Sequence, residues 1–139
     1  MNIVILSGLL SSAPRRTELP SGDIRWALEL TTPLEAGGAT DPAASVPVAW
    51  HGELVAGRAC IGDAASWVAG TELVVVGAVR RRFYRAGGVT QSRTEVLAMS
   101  LVEVTRRRPV EASLRKAAQV LGPGSAAALR SGVGVLSPA

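Results

Sequence analysis

The sequence predicts an all-β barrel of five strands, with one helix between the third and fourth strands and a flexible C-terminal tail. Three observations predict it. Apolar and polar residues alternate with period two from Ile24 to Thr31. A β-branched run at residues 73–79 leads into a glycine-rich hairpin tip, and clusters of turn-forming residues separate each strand-like segment from the next.

Residues 2–6 (N-I-V-I-L) are rich in β-branched side chains and stop at Ser7-Gly8, so they read as a strand. Leu9 and Leu10 extend it past a glycine bend of the kind barrels use. Residues 14–20 are a connection, and Pro20-Ser21-Gly22-Asp23 signals a turn. Ile24, Trp26, Leu28 and Leu30 then alternate with Arg25, Ala27, Glu29 and Thr31, as in a strand with one buried side. Residues 32–45 carry two prolines and two adjacent glycines, hence a long loop. Val46, Val48 and Trp50 resume the strand on an inward parity, leaving Ser45, Pro47, Ala49 and His51 outward. Residues 53–68 fit a helix weakened by Gly57 and Gly62 and ended by Gly70. Residues 73–79 (L-V-V-V-G-A-V) are the strongest strand and run on to Tyr84. Ala86-Gly87-Gly88 is a hairpin tip, and residues 94–104 return as the last strand. Trp26, Trp50 and Trp67 read as core. The folded domain is therefore placed at residues 1–105. Residues 106–139 are a basic, mostly flexible tail, with helical character at 110–121, that folding does not require.

Composition narrows the function. With 47% apolar and 19% charged residues the chain is an ordinary globular sequence. Its one cysteine, Cys60, excludes an internal disulfide framework and a multi-cysteine zinc site, and suits a reducing cytoplasm. No run of about 18 apolar residues is present to span a membrane, and the first residues lack the basic region of a signal peptide. The formal charge of +4 is unevenly spread: residues 1–105 hold nine basic and ten acidic residues, residues 106–139 six and one. Within the folded part, Arg80, Arg81, Arg82, Arg85 and Arg93 cluster without an intervening acid, beside Phe83 and Tyr84. Clustered arginine with aromatics points to nucleic acid more strongly than net charge does.

Three strands, a helix and two strands is the element order of a five-stranded OB-fold (oligonucleotide/oligosaccharide-binding) Greek-key barrel. Five segments stand in order between residues 2 and 104: N-I-V-I-L-S-G-L-L, L-P-S-G, V-A-W-H-G-E-L, G-A-V-R-R-R-F-Y-R-A-G-G and R-T-E-V-L-A. In these segments the chain resembles the bacterial single-stranded DNA-binding proteins. The resemblance implies an OB barrel that binds single-stranded DNA, with RNA as the alternative strand, and does so without sequence preference. It also implies a cytoplasmic homo-oligomer, dimer or tetramer, acting in DNA replication, recombination or repair. The chain departs from the family in three places. Ser45 stands where members carry an aromatic, His51 replaces the next aromatic, and no acid follows Glu111 where members end in an acidic tail. Recruitment of proteins through an acidic tail is therefore not expected, and a divergent, specialised member is.

Non-specific single-strand binding needs cations that track phosphates and flat faces on which bases stack. Tyr84 is the expected stacking residue, at the position where the resemblance places an aromatic. Arg80 and Arg82 share its parity and would project from the same side of the strand. Arg85 and Arg93 flank the hairpin tip as backbone clamps, and His51 offers a second ring. Arg15, Arg16 and Arg25 either extend this basic path, Arg16 foremost, or pair locally with Glu18 and Asp23. No metal site, cofactor or catalytic group is expected: Gly87-Gly88 lacks a Walker lysine, and His51 is the lone histidine. A rival reading is an OB-fold structural or assembly subunit that has lost most stacking residues.

Overall fold

The computed structural model of the chain describes residues 1–33, 43–51, 60–61 and 65–120, and strands dominate them. In chain order the elements are β1 (Val4–Leu10), β2 (Arg15–Glu18), β3 (Ile24–Thr32), β4 (Ala44–His51), β5 (Cys60–Ile61), β6 (Glu72–Ala86), β7 (Val89–Glu103) and α1 (Arg107–Val120). No described helix is long and apolar enough to cross a membrane.

Five of the strands close a ring. β1 pairs antiparallel with β6 along its length, Ile5 opposite Val76, and its end crosses to β3, Leu10 opposite Leu30. β3 pairs with β4, β4 meets β7 in parallel at Val48 and Val96, and β7 returns to β6. The result is a small β-barrel-like fold. Its core is made by the alternation that the sequence displays: Trp26, Leu28 and Leu30 from β3, Val48 and Trp50 from β4, Leu73 and Val75 from β6, Val96 and Leu101 from β7. Trp67 closes one end, and its indole N–H donates to Glu103 Oε1 at 2.5 Å, which satisfies the ring's one polar atom. The Asn2 carboxamide donates to Val79 O at 2.6 Å and accepts from Val79 N at 2.9 Å, so a side chain continues the β1–β6 ladder.

Two glycine positions are dictated by geometry. At the bulge between Val76 and Gly77 the strands come so close that a Cβ on Gly77 would lie 2.2 Å from Leu97 O. At the hairpin tip Gly87 and Gly88 both take positive φ, +60° and +78°, as a two-residue turn with the twist of its flanking strands requires. The long β6–β7 ladder ends there, Ala86 opposite Val89.

Several elements differ from the sequence-based expectation. β1 reaches Leu10 as expected, but it starts at Val4 and runs through Ser7-Gly8 without a break. The connection at residues 14–20 contains a strand, β2, all four residues of which are exposed. The helix expected over residues 53–68 falls largely outside the described residues. Where the chain is described there, Cys60–Ile61 pair with β7 as a strand and residues 65–70 are turns around Trp67. The one described helix instead follows the last strand.

That helix, α1, corresponds to the helical character expected at 110–121 but begins at Arg107, and it is docked. It packs on β6 and β7, buries Ser113 and Ala117, and bonds Ser113 Oγ to Ser100 Oγ at 2.5 Å. Val74, Val76 and Val102 point away from the barrel interior, yet each is at most 8% exposed. Outward side chains this dry need a cover, and the helix lies on their two strands. Cutting the chain after Arg106 is thus expected to lower the unfolding free energy by about 2–4 kcal/mol, the burial of one or two valines. Ala117→Asp in the full chain should produce a loss of about the same size, because a charge would enter a packed contact. Chemical denaturation checks both; parent-like midpoints would show that the helix adds nothing to the folded unit.

Candidate functional site

β3, β4, β7 and β6 lie side by side in the ring, and residues paired across a ladder point the same way. Arg25 stands opposite His51, Glu29 opposite Pro47, Arg80 opposite Glu95, Arg82 opposite Arg93, and Tyr84 opposite Gln91. These are the outward parities, opposite to Trp26, Val48, Trp50 and Val96 of the core. The outward side chains of the four strands therefore share one face, which is polar apart from a row formed by Ala27, Ala49, Leu97 and Ala78.

Glu95 is its centre, only 3% exposed. Arg25 Nη2 donates to Glu95 Oε2 at 3.0 Å. Arg80 donates to Oε1 through both Nε and Nη2, at 3.1 and 2.9 Å. Arg82 Nε lies 3.2 Å from the same oxygen, within ion-pair reach but not aligned for a hydrogen bond. Three guanidiniums from β3 and β6 thus converge on one carboxylate of β7. Burying a carboxylate costs several kcal/mol unless it is paired this fully. One negative charge leaves three positive ones under-compensated, and the Arg80 and Arg82 side chains remain about a third exposed, at 32% and 31%. Burial and the neighbouring Arg82 lower the pKa of Arg25, against the pull of Glu95.

The surface extends on both sides of this cluster. Arg93 pairs with Glu29, which also accepts from Ser45 Oγ at 3.1 Å. Towards the hairpin tip, the Arg82 guanidinium sits 5.0 Å from the Tyr84 ring centroid, and the Tyr84 hydroxyl donates to Gln91 Oε1 at 3.2 Å. Arg80 Nη2 is 2.9 Å from His51 Nε2. An arginine can only donate, so Nε2 accepts and the histidine proton sits on Nδ1. Partial burial of the ring, and then the charges of Arg80 and Arg25, hold His51 below its ordinary pKa. A groove of about 290 Å³ runs alongside, lined by Arg15, Arg25, Glu29, Pro47, Arg93 and Glu95 among others.

The structure brings together Arg80, Arg82, Tyr84, Arg93 and His51 of the residues expected from sequence. It does not bring in two others. Arg85 is opposite Thr90 and points to the reverse side of the hairpin. Arg16 is opposite Trp26, on the other side of β2 from Arg15, which is opposite Ala27 and lines the groove. Arg25 pairs with Glu95 and not with Asp23, whose carboxylate accepts from Ser21 Oγ. Sequence reasoning misses Glu95 itself. The available signal is its isolation, as the one acid between Glu72 and Glu103. No protein-family model matches the chain, and no curated protein matches it.

Glu95→Gln is expected to lower the unfolding free energy by about 3 kcal/mol, because three guanidiniums lose their shared counter-charge. Denaturant titration checks this, and a change under about 0.5 kcal/mol would show that the pairs are merely superficial. His51 gives an independent test through pH. Its folded pKa lies below the unfolded value of 6.5, so the unfolded chain takes up the proton first. Its contribution is complete above about pH 6.5 and falls as pH drops through that value towards the folded pKa. His51→Gln should flatten this acid-side loss. An imidazole titration midpoint at or above 6.5 by NMR would contradict the packing against Arg80.

Proposed function

We propose that this chain is a non-catalytic OB-fold module that binds single-stranded DNA without sequence preference. The observation that carries the reading is the outward face of β3, β4, β7 and β6. There Arg25, Arg80, Arg82 and Arg93 outnumber Glu29 and Glu95, Arg15 of β2 lines the adjoining groove, and the row ends in Tyr84 under the Arg82 guanidinium. Cations in a line serve phosphates, and a ring at the end of the line serves a base. The ring of strands supports the OB assignment: β1 closes on both β3 and β6, and β4 lies parallel to β7. The five ordered sequence motifs point to a cytoplasmic role in replication, recombination or repair.

The edge of β1 away from β6 is paired only at Leu9 and Leu10 among the described residues, while Ile5 and Leu9 are half-exposed. An open edge beside apolar side chains favours pairing with a second copy. Self-association is thus part of the reading, and a purely monomeric sedimentation profile at micromolar concentration removes it.

One observation favours a second reading, that of an assembly subunit. Arg25, Arg80, Arg82 and Arg93 all have carboxylate partners, so the face is also intelligible as an internal brace. Fluorescence titration with a homopolymer oligonucleotide across a salt series separates the two. Single-strand binding requires affinity at low salt that falls steeply as salt rises; an internal brace gives none.

Three variants dissect the interaction. Tyr84→Ala is expected to weaken binding by about 1–3 kcal/mol with an unchanged salt slope, since it removes a flat face and no charge. Arg80→Gln with Arg82→Gln should weaken binding and flatten the slope by less than about 1.4, the value for two phosphates at roughly 0.7 each, because Glu95 already offsets part of both charges. Glu95→Gln should bind more tightly at low salt despite its lower stability, because it frees guanidiniums for phosphate. Weaker binding by that variant would mean that Glu95 serves the site by holding the arginines in place.

A further inference from the structure

The six residues Arg80-Arg81-Arg82-Phe83-Tyr84-Arg85 of β6 send alternate side chains to opposite sides of the β6–β7 ribbon. Even-numbered positions face the site described above. Odd-numbered positions, Arg81, Phe83 and Arg85, face the reverse side, opposite Thr94, Ser92 and Thr90 of β7. β4 pairs with β7 only at Val96 and Leu97, so beyond Glu95 no described strand is paired with the ribbon. On its reverse side Arg81, Phe83 and Arg85 are all exposed, Phe83 by 65%.

The two sides carry the same device. On the near side Arg82 lies over Tyr84; on the reverse side Arg81 lies over Phe83, 6.0 Å from the ring centroid. They differ in charge compensation. The near-side arginines share Glu95, whereas Arg81 and Arg85 have no carboxylate partner among the described residues. The strand partners Thr94, Ser92 and Thr90 bring no acid to that side. An exposed phenyl ring between two uncompensated guanidiniums has no solubility rationale, because arginine alone would protect the ribbon. Its chemistry, cation–ring–cation along an extended strand, complements a polyanion with flat unpaired bases.

We propose that the reverse side of the hairpin, Arg81, Phe83 and Arg85, is a second contact surface for single-stranded nucleic acid, so that a bound strand passes over both sides of the ribbon. This rests on the single-strand-binding reading. Phe83 stacks a base, and Arg81 and Arg85 contact the phosphates on either side of it.

The test uses the full chain and an oligo-dT of about 30 nucleotides, longer than the span expected for one barrel. Phe83→Ala should keep the parent thermal transition, as the ring is exposed, and weaken binding at least about fivefold with an unchanged salt slope. Arg81→Gln with Arg85→Gln should lower the slope by about 1.4. Phe83→Trp should restore affinity, and the emission of the added indole, taken against the parent, should be quenched by oligo-dT. Parent-like affinity of Phe83→Ala, or an unquenched indole in Phe83→Trp, overturns the proposal. So does a changed sedimentation profile with unchanged affinity, which assigns Phe83 to a protein contact. The two readings fail differently. If the parent itself does not bind oligo-dT at low salt, single-strand binding falls and this inference with it. If the parent binds and the reverse-side variants match it, only the second surface falls.

Discussion

The outer face of this barrel depends on one buried carboxylate. Glu95 stands on β7, and its oxygens are shared by Arg25 from β3 and by Arg80 and Arg82 from β6. β4 lies between β3 and β7, so the Arg25 pair reaches across a whole strand. Backbone ladders fix the strands in register, but they do not decide where long arginine side chains point. An arginine free in water loses about 2 kcal/mol of rotamer entropy when a ligand orders it. Here Glu95 has ordered three of them before any ligand arrives. The same arrangement leaves Arg25 Nε and Arg82 Nε buried without a hydrogen-bond partner in the described structure.

The fold is legible in the sequence wherever one side of a strand is dry. Ile24 to Thr32 alternates cleanly, and in β4 Val48 and Trp50 face the core as expected, although Ala49, expected outward, is buried between them. β2 is not legible, since Arg15–Glu18 is exposed along its length and carries no apolar period to read. Residues 106–139 read as a mostly flexible tail, yet α1 begins at Arg107 and takes in Pro109. The reason is positional: Pro109 sits in the first turn, where amide groups have no intrahelical acceptor and the missing N–H costs nothing. The first helical bond, Val110 N to Arg106 O at 3.0 Å, begins at the next residue. The apolar surface that holds α1 is also hidden, because Val74 and Val76 sit in a continuous valine run that conceals its two sides.

The site is legible in its parity and illegible in its partners. Period two along β6 correctly places Arg80, Arg82 and Tyr84 on one side. The same rule separates Arg85 from them and sends Phe83 after it, which grouping the arginines by proximity in sequence obscures. Choosing between Arg15 and Arg16 needs the register of β2 against β3, which the loop sequence does not contain. The ion pairs are non-local: Arg25 and Glu95 are 70 residues apart, Arg93 and Glu29 64. Local charge patterning therefore overstates how much free positive charge the near side offers.

That correction changes how such a face would hold a polyanion. Affinity gained by counterion release scales with the phosphates a protein neutralises, and an arginine already facing a carboxylate neutralises less. The near side thus offers partly neutralised arginines, a groove beside them and Tyr84 at the end. The reverse side has the opposite balance, with two arginines lacking carboxylate partners among the described residues around an open ring, and no enforced geometry. A strand contacting both would meet an ordered, partly neutralised surface and a looser, fully charged one, joined by a two-glycine turn narrow enough to pass around. Because residues 1–105 carry nearly balanced charge, the basic residues of this ribbon and of the docked helix α1 would set where a polyanion arrives. On the proposed function, a hairpin that presents a ring on each side would favour unpaired bases over a duplex, whose bases are stacked away from Tyr84 and Phe83 alike.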